Sequence, residues 1–274
     1  MIGYWSELKL DIVREYAVAY SKILTKNRLY HVYIDAFAGS GLHISKVSGQ
    51  FVKGSPLNAL LIDPPFREFF FVDLVSKKTD RLRQIVGNRT DVHIYQGDCN
   101  EILRTEVLPQ ARYEDYRRAL CLLDPYGLHL DWNVIAEAGA MKSIDIFLNF
   151  PIMDINRNFL WRHPGKIGSS QTNRLDAFWG DNSWRNIAYK TVPALFEDEE
   201  QKQENKVIAD SFCDRLRKLA GFQHVSRALP MRNTRHAIVY YLLFASQKRV
   251  AKKILEDIFR KYETRGIGSG EIKH

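Results

Sequence analysis

Short apolar runs rich in Val, Ile, Tyr and Phe alternate along the chain with stretches in which apolar residues recur at helical spacing. The runs lack a clean apolar–polar alternation, which is typical of strands buried on both faces of a sheet. The predicted strands are Tyr30–Phe37, Phe69–Asp73, Val92–Tyr95, Ala119–Leu123, Ile144–Phe150, Ala237–Ala245 and a weaker run over Phe222–Leu229.

Amphipathic stretches between these runs predict helices. In Trp5–Leu24 the apolar residues form one stripe of 3.6-residue period, Ser55 is a predicted helix cap, and Gly87 is a predicted helix end. The predicted helices are Trp5–Leu24, Pro56–Ile62, Ser76–Val86, Asn100–Leu108, Asp131–Ala138, Asn205–Ala220 and Gln247–Tyr262. Strands that alternate with helices in this way predict a mainly parallel, doubly wound sheet.

The end of the chain changes direction in the predicted sheet. Only Pro230–His236 separates the last two strands, which is too short for a crossover helix, so we expect an antiparallel pair. The predicted fold class is therefore α/β, with a doubly wound, seven-stranded, mostly parallel sheet and an antiparallel last strand. Class I, Rossmann-like methyltransferases that use S-adenosylmethionine (SAM) have this arrangement, an analogy at the level of the fold.

Residues 152–203 interrupt the alternation of strands and helices. They are rich in Asn, Arg, Trp and Gly and include an acidic patch at residues 197–200. We interpret them as an inserted, partly helical subregion on the substrate side of a single domain that spans residues 1–274.

Composition excludes several classes of protein. The chain has 274 residues, of which 45% are hydrophobic and 26% charged, as in soluble globular proteins. It has no apolar run of about 18–20 residues and no signal-peptide pattern, so we expect no membrane span and a cytoplasmic location. Three scattered cysteines argue against a disulfide scaffold or a zinc ribbon, and no metal site is predicted.

The net charge of +8 is concentrated towards the end of the chain. Residues 211–265 hold 13 Lys and Arg against 4 Asp and Glu, whereas residues 1–210 hold 26 against 27. One interpretation is an anionic partner, nucleic acid above all. The other is a solvated helix face, because basic pairs at residues 248–249, 252–253 and 260–261 recur at helical spacing.

The first predicted strand runs into a glycine turn. Asp35 is followed by Phe37, Gly39 and Gly41, and glycines let the backbone turn tightly and approach a ligand closely. A dinucleotide fingerprint would need a third glycine where Ile44 stands. The pattern therefore favours a SAM-binding loop, in which Asp35, Gly39 and Gly41 hold the methionine part. A tight turn without a ligand is the alternative.

Acids also follow the next two strands. Asp73 is placed to pair with the hydroxyls of an adenosine ribose, and Asp98 to accept from the adenine amino group. The spacing from the glycine turn to Asp73 is longer than usual, which we attribute to a loop over Leu42–Lys53. Helix capping is the alternative for Asp73. Cys99 is expected to border the cofactor as a small apolar residue rather than as a nucleophile.

The segment Asp124-Pro125-Tyr126 follows the fourth strand. Amino-methyltransferases carry Asp/Asn-Pro-Pro-aromatic there, with the acid and a Pro carbonyl accepting from the target amine and the ring stacking on the base. Here Tyr126 replaces the second Pro, so methylation of an amino group is an inference from an imperfect match. Cys121 lies inside the strand and is expected to belong to the core. Asn149, at the end of strand 5, is a candidate for orienting substrate, and closure of a turn is the alternative.

Together these residues make the chain resemble the three-Cys-motif partner (TcmP) family over residues 4–262. The segments that carry the resemblance are 33–41, 53–56, 123–128, 148–150, 154–157 and 231–233. The resemblance implies a class I SAM methyltransferase-like fold and a companion protein that bears a three-cysteine motif.

The leading hypothesis is a SAM-dependent methyltransferase that acts on nucleic acid. Candidate phosphate contacts on the substrate are Arg157, Arg162, Lys166, Arg174, Arg232 and Arg235. The second hypothesis is a non-catalytic module that keeps the fold and binds nucleic acid for the companion, and it is motivated by the altered segment after strand 4. A nicotinamide-dependent oxidoreductase is disfavoured by Ile44 and by the antiparallel ending.

Overall fold

The computed structural model describes residues 3–46, 48–160, 168–193 and 199–263. Its strands are β1 (Tyr30–Asp35), β2 (Leu42–Ile44), β3 (Phe51–Lys53), β4 (Glu68–Asp73), β5 (Val92–Gln96), β6 (Arg117–Leu123), β7 (Ile144–Phe150), β8 (Tyr189–Val192), β9 (Glu199–Lys202), β10 (His224–Val225), β11 (Leu229–Arg232) and β12 (Ile238–Ser246). Its α-helices are α1 (Tyr4–Lys26), α2 (Ser55–Ala59), α3 (Ser76–Val86), α4 (Cys99–Ile102), α5 (Trp132–Ala140), α6 (Ile152–Asn158), α7 (Ser169–Trp179), α8 (Trp184–Ala188), α9 (Asn205–Lys218) and α10 (Arg249–Tyr262). A π-helical turn over Leu103–Val107 and a 3-10 turn over Leu108–Ala111 extend α4.

The central sheet has the strand order β10-β12-β7-β6-β1-β4-β5. Strands β5, β4, β1, β6 and β7 are parallel to one another, and β12 is antiparallel to both β7 and β10. The predicted fold class is thus confirmed: the protein has the mixed α/β, Rossmann-like fold of class I methyltransferases. Strand β11 also pairs with β12, which gives the sheet eight strands, and this pair is antiparallel because the turn between the two strands is too short for a crossover helix.

Two local predictions were wrong. The weak run Phe222–Leu229 forms two short strands, β10 and β11, and Pro230 belongs to β11 rather than to the following turn. Proline fits there because β11 lies at the edge of the sheet, where a missing N–H donor breaks no ladder on its outer side. Residues 42–53, expected to be a loop, form a hairpin of β2 and β3.

Layers of helices cover both faces of the sheet, as the unbroken apolar runs require. In β1, Val32 and Ile34 pack into one buried cluster with α5, α7 and α9, whereas Tyr33 packs into the other with α1 and α10. Residues 168–193 also contribute to the first cluster: the rings of Phe178 on α7 and Phe212 on α9 stack with their centroids 5.4 Å apart. No helix in the described part of the chain is both long and apolar enough to cross a membrane.

The basic segment near the end of the chain belongs mainly to α9 and α10. Helix α10 buries Leu255 and Phe259 against the sheet, and several cations on its outer side are paired with carboxylates. Lys261 Nζ lies 2.7 Å from Glu15 on α1, and Lys252 Nζ lies 3.6 Å from Glu256. This geometry fits the solvated-face interpretation of the charge, and the nucleic-acid interpretation stays a prediction.

Candidate functional site

A cleft of about 990 Å³ opens where the parallel strands β1, β4, β5 and β6 end. Parallel strands bring their carboxyl ends to one edge of a sheet, and open α/β sheets bind ligands there. The lining includes eight of the residues singled out in the sequence, Phe37, Gly39, Asp73, Asp98, Cys99, Asp124, Tyr126 and Arg174. The volume is at the upper end of the ~300–1,000 Å³ of small-molecule sites.

The loop after β1 takes the tight course that its glycines predict. Gly39 and Gly41 have φ of +66° and +79°, in the left-handed region that favours glycine. Phe37 and Gly39 line the cleft, whereas Gly41 packs behind it. A Cβ on Gly41 would lie 2.9 Å from Leu82 Cδ1, so this position holds the loop close to α3.

Asp35 lies fully buried at the end of β1, beneath the loop rather than in the lining of the cleft. Burial raises the pKa of its carboxyl to about 7. The Ser55 side chain, the Phe37 N–H at 3.1 Å and the Lys9 ammonium favour the ionised form, and the nearby Asp124 opposes it. Asp35 is therefore placed to shape the loop from behind. Ser55, expected as a cap, is instead the first residue of α2, which Gly54 precedes as the cap.

An Asp35→Asn variant is expected to be more stable than the wild type, by a margin that grows as pH rises from about 4 to 7. The carboxyl binds its proton more tightly in the folded state than at the ordinary pKa of 3.8. The contribution of this tighter proton binding to the free energy of unfolding is complete below pH 3.8 and is lost as pH rises through about 7. Asn has no proton to lose, so its contribution does not change with pH. The margin at pH 8 should be on the order of 2–4 kcal/mol.

Thermal unfolding near pH 5 and pH 8 measures this margin, with the exposed Asp115→Asn as the matched control. An equal margin at both pH values would show that the Asp35 carboxyl does not change its ionisation on folding.

Asp73 joins two loops at the cleft. Its Oδ2 accepts from the Gly39 N–H at 2.9 Å, its Oδ1 accepts from the Val75 N–H at 2.9 Å, and Lys78 Nζ lies 3.4 Å from Oδ2. A carboxylate offers about four acceptor positions, so these three contacts leave about one for a ligand hydroxyl. Asp98, rather than Asp73, caps a helix through its side chain: its Oδ1 accepts from the Asn100 N–H at 2.7 Å at the start of α4.

The cysteines near the cleft are thiols of the protein interior. Cys99 lines the cleft, and its Sγ lies 3.5 Å from the His129 carbonyl oxygen. Burial raises the pKa of the Cys99 thiol to about 12, and burial also raises the pKa of Cys121 inside β6. Because the thiolate is the nucleophile, this agrees with the apolar roles expected for both residues.

Asp124, after β6, lies between two polar side chains from other elements. Its Oδ1 accepts from Asn149 Nδ2 on β7 at 2.7 Å, and its Oδ2 pairs with the Lys9 ammonium on α1. Pro125 is buried, whereas the Tyr126 side chain is 88% exposed at the mouth of the cleft. The structure thus brings the acid and the aromatic residue of the predicted acceptor site to one wall of the cleft, with Asn149 behind them.

Several residues of the site were not predicted from the sequence. Lys9 is buried on the same face of α1 as Val13 and Ala17, which follow it at intervals of four residues. A lysine at helical spacing with apolar positions was the sequence signal that could have identified it. His43 lines the cleft from the β2–β3 hairpin, and burial lowers its pKa. Asn173 on α7 also lines the cleft, and no sequence motif includes it.

The predicted phosphate contacts separate into three groups. Arg174 lies in the cleft, with Nη1 2.5 Å from His129 Nδ1. Arg157 on α6, Arg232 at the end of β11 and Arg235 in the following turn are not part of the lining. Arg162 and Lys166 lie outside the described residues.

Known proteins resemble this chain in fold. No protein-family model and no curated protein sequence matches it. Protein LPL1258 from Legionella pneumophila, of family DUF519, superposes with a TM-score of 0.55 at 10% identity over 93% of this chain and 91% of that protein. The methyltransferase domain of bacterial CtHen1-CN gives 0.42 at 12% identity over 86% and 99%. At these identities the comparisons concern the fold alone, and membership of the TcmP family stays a prediction.

Proposed function

We propose that the protein is a SAM-dependent methyltransferase that acts on an amino group of a nucleic-acid base. The observation that carries the proposal is the cleft itself, which places the Asp73 carboxylate and the Asp124 carboxylate on the walls of one cavity. The first belongs to the cofactor end of this fold and the second to the acceptor end. We further propose, on the TcmP resemblance, that a companion protein with a three-cysteine motif works with it.

The residues present fit the cofactor. Asp73 has about one acceptor position left for a ribose hydroxyl, and exposed Leu74 and Val75 offer apolar surface beside it. The loop at Gly39 leaves its backbone open, since a Cβ there would meet only His43 Cε1 at 3.9 Å. When bound, SAM would supply an electrophilic methyl group on a sulfonium.

The acceptor end offers hydrogen-bond acceptors to an amine. Asp124 has acceptor positions beyond those that Lys9 and Asn149 use, and its side chain is 30% exposed. Asn149 lies behind Asp124 and outside the lining of the cleft, so it acts on the amine only through its hydrogen bond to Asp124. By accepting an N–H of the amine, Asp124 would orient the amine lone pair, and it would receive the proton that the amine loses on methylation. Tyr126 would stack on the base.

Transfer of a labelled methyl group tests the proposal. The purified protein is incubated with tritiated SAM and either total RNA or genomic DNA, with and without the companion. We expect incorporation into one of the two polymers, and digestion to nucleosides then identifies the base. Absence of incorporation into both polymers under all these conditions would contradict it.

A second candidate is the non-catalytic nucleic-acid-binding module. It is favoured by the fact that both oxygens of Asp124 already have partners within the protein. This candidate requires nucleic-acid binding that weakens steeply with salt, and no methyl transfer. Any stoichiometric incorporation of label would exclude it.

A further inference from the structure

Lys9 is an unusual residue for the inside of a protein. It lies on α1 with 5% of its surface exposed, and its ammonium pairs with Asp124 and lies 5.6 Å from the centroid of the Tyr240 ring. Burying a charged lysine is costly unless it is paired. The partner here is the carboxylate assigned to the acceptor, on a residue 115 positions away in the sequence.

The pair leaves one side of Asp124 open. Lys9 occupies Oδ2, Asn149 Nδ2 occupies Oδ1 at 2.7 Å, and a carboxylate has about four acceptor positions. Asp124 lines the cleft, whereas Lys9 and Asn149 do not. The two protein donors therefore hold the carboxylate from behind, and the remaining acceptor positions are those available to the cleft.

Anchoring of α1 does not depend on Lys9. Tyr16 donates to Asp145 Oδ2 at 2.7 Å, Glu15 pairs with Lys261, and Ile12 and Val13 are buried in the core. Buried ion pairs contribute little net stability compared with apolar residues of the same volume. A structural role alone thus gives no reason for a buried lysine at this point of the helix.

We propose that Lys9 is a positioning residue for the acceptor: with Asn149 it fixes the Asp124 carboxylate in the orientation that receives the amine. This inference rests on the proposed function and specifies which residue orients the carboxylate that binds the acceptor. Lys9 does not touch the acceptor and acts through Asp124. Helix α1, which precedes all the sequence motifs of the cofactor site, is thereby part of the acceptor site.

The Lys9→Met variant tests this role, with Lys22→Met on the exposed side of the same helix as the matched control. We expect kcat to fall by about 10- to 100-fold, since small misplacements of reacting groups have effects of that size. The KM for SAM should stay within about twofold. Lys9→Arg, which keeps a cation beside Asp124, should recover part of the lost rate. Equal losses in kcat and in SAM affinity, or no rescue by Arg, would indicate a merely structural role and overturn the proposal.

A crystal structure of Lys9→Met tests the positioning without turnover. We expect the Asp124 carboxylate to turn and its Oδ1 to leave hydrogen-bond range of Asn149 Nδ2. An unmoved Asp124 would overturn the inference whatever the activity. If the wild-type protein transfers no methyl group and Asp124 nevertheless turns in the variant, the proposed function fails and the positioning of Asp124 by Lys9 stands.

Discussion

An Asp124→Ala variant is expected to lose methyl transfer by about 10²–10³-fold, a typical cost of removing one preorganised polar group from an active site. It should also lose about 3–5 kcal/mol of unfolding free energy, because Lys9 is left as a buried charge without its partner. Affinity for S-adenosylhomocysteine should change little, since the predicted cofactor contacts lie at Asp73 and the loop after β1. Kinetics, thermal unfolding and calorimetry measure the three effects.

A double variant separates the chemistry from the stability. Lys9→Met with Asp124→Leu removes both charges together, so most of the lost stability should return while methyl transfer stays absent. Recovery of transfer in the double variant would show that Asp124 does not bind the acceptor.

The Gly139→Ala variant is expected to be strongly destabilised, by about 3 kcal/mol or more. Gly139 lies in α5, and a Cβ there would stand 1.9 Å from the Ala220 carbonyl oxygen and 2.9 Å from its carbon. Backbone after α9 must therefore move before a methyl group fits. The Gly139 carbonyl also accepts from Gln247 Nε2 at 3.2 Å, so the shift would reach the start of α10.

Gly168→Ala is the matched control for this prediction. A Cβ there would meet only Gln171 Oε1, at 3.4 Å, and the φ of Gly168 is –68°. Its unfolding free energy should fall by no more than about 1 kcal/mol, because Gly168 is the N-cap of α7 and alanine is a poorer cap than glycine. A similarly small change in Gly139→Ala, measured by denaturant titration, would contradict the close contact between α5 and residue 220.

The sequence was sufficient for the fold because the pattern that specifies it is local. Buried runs such as Ile144–Phe150 identify the strands, and the short gap before β12 gives the antiparallel reversal. The same connection makes β11 and β12 neighbours, whereas the place of β12 between β7 and β10 depends on tertiary packing. The apolar pattern is weak at residues 222–232, where it places Pro230 at the start of a turn although this residue belongs to the edge strand β11.

The site could be predicted only as far as each residue follows a strand. Asp73 and Asp124 were found because strand ends share one edge of a parallel sheet. Lys9 and His43 could not be found in the same way, since their places depend on how α1 and the β2–β3 hairpin pack against that edge. The burial of Asp35 beneath its loop likewise depends on packing around Ser55 and Lys9 rather than on the motif.

Calorimetric titration with S-adenosylhomocysteine tests most directly whether the cleft is a SAM site. The wild-type protein should bind one equivalent saturably. Asp73→Ala should weaken binding by about 10- to 100-fold, because hydrogen bonds to a charged group contribute about 1.5–3 kcal/mol each. The exposed Asp115→Ala should bind as the wild type does. Absence of saturable binding by the wild type at millimolar ligand, or unchanged affinity in Asp73→Ala, would contradict the account.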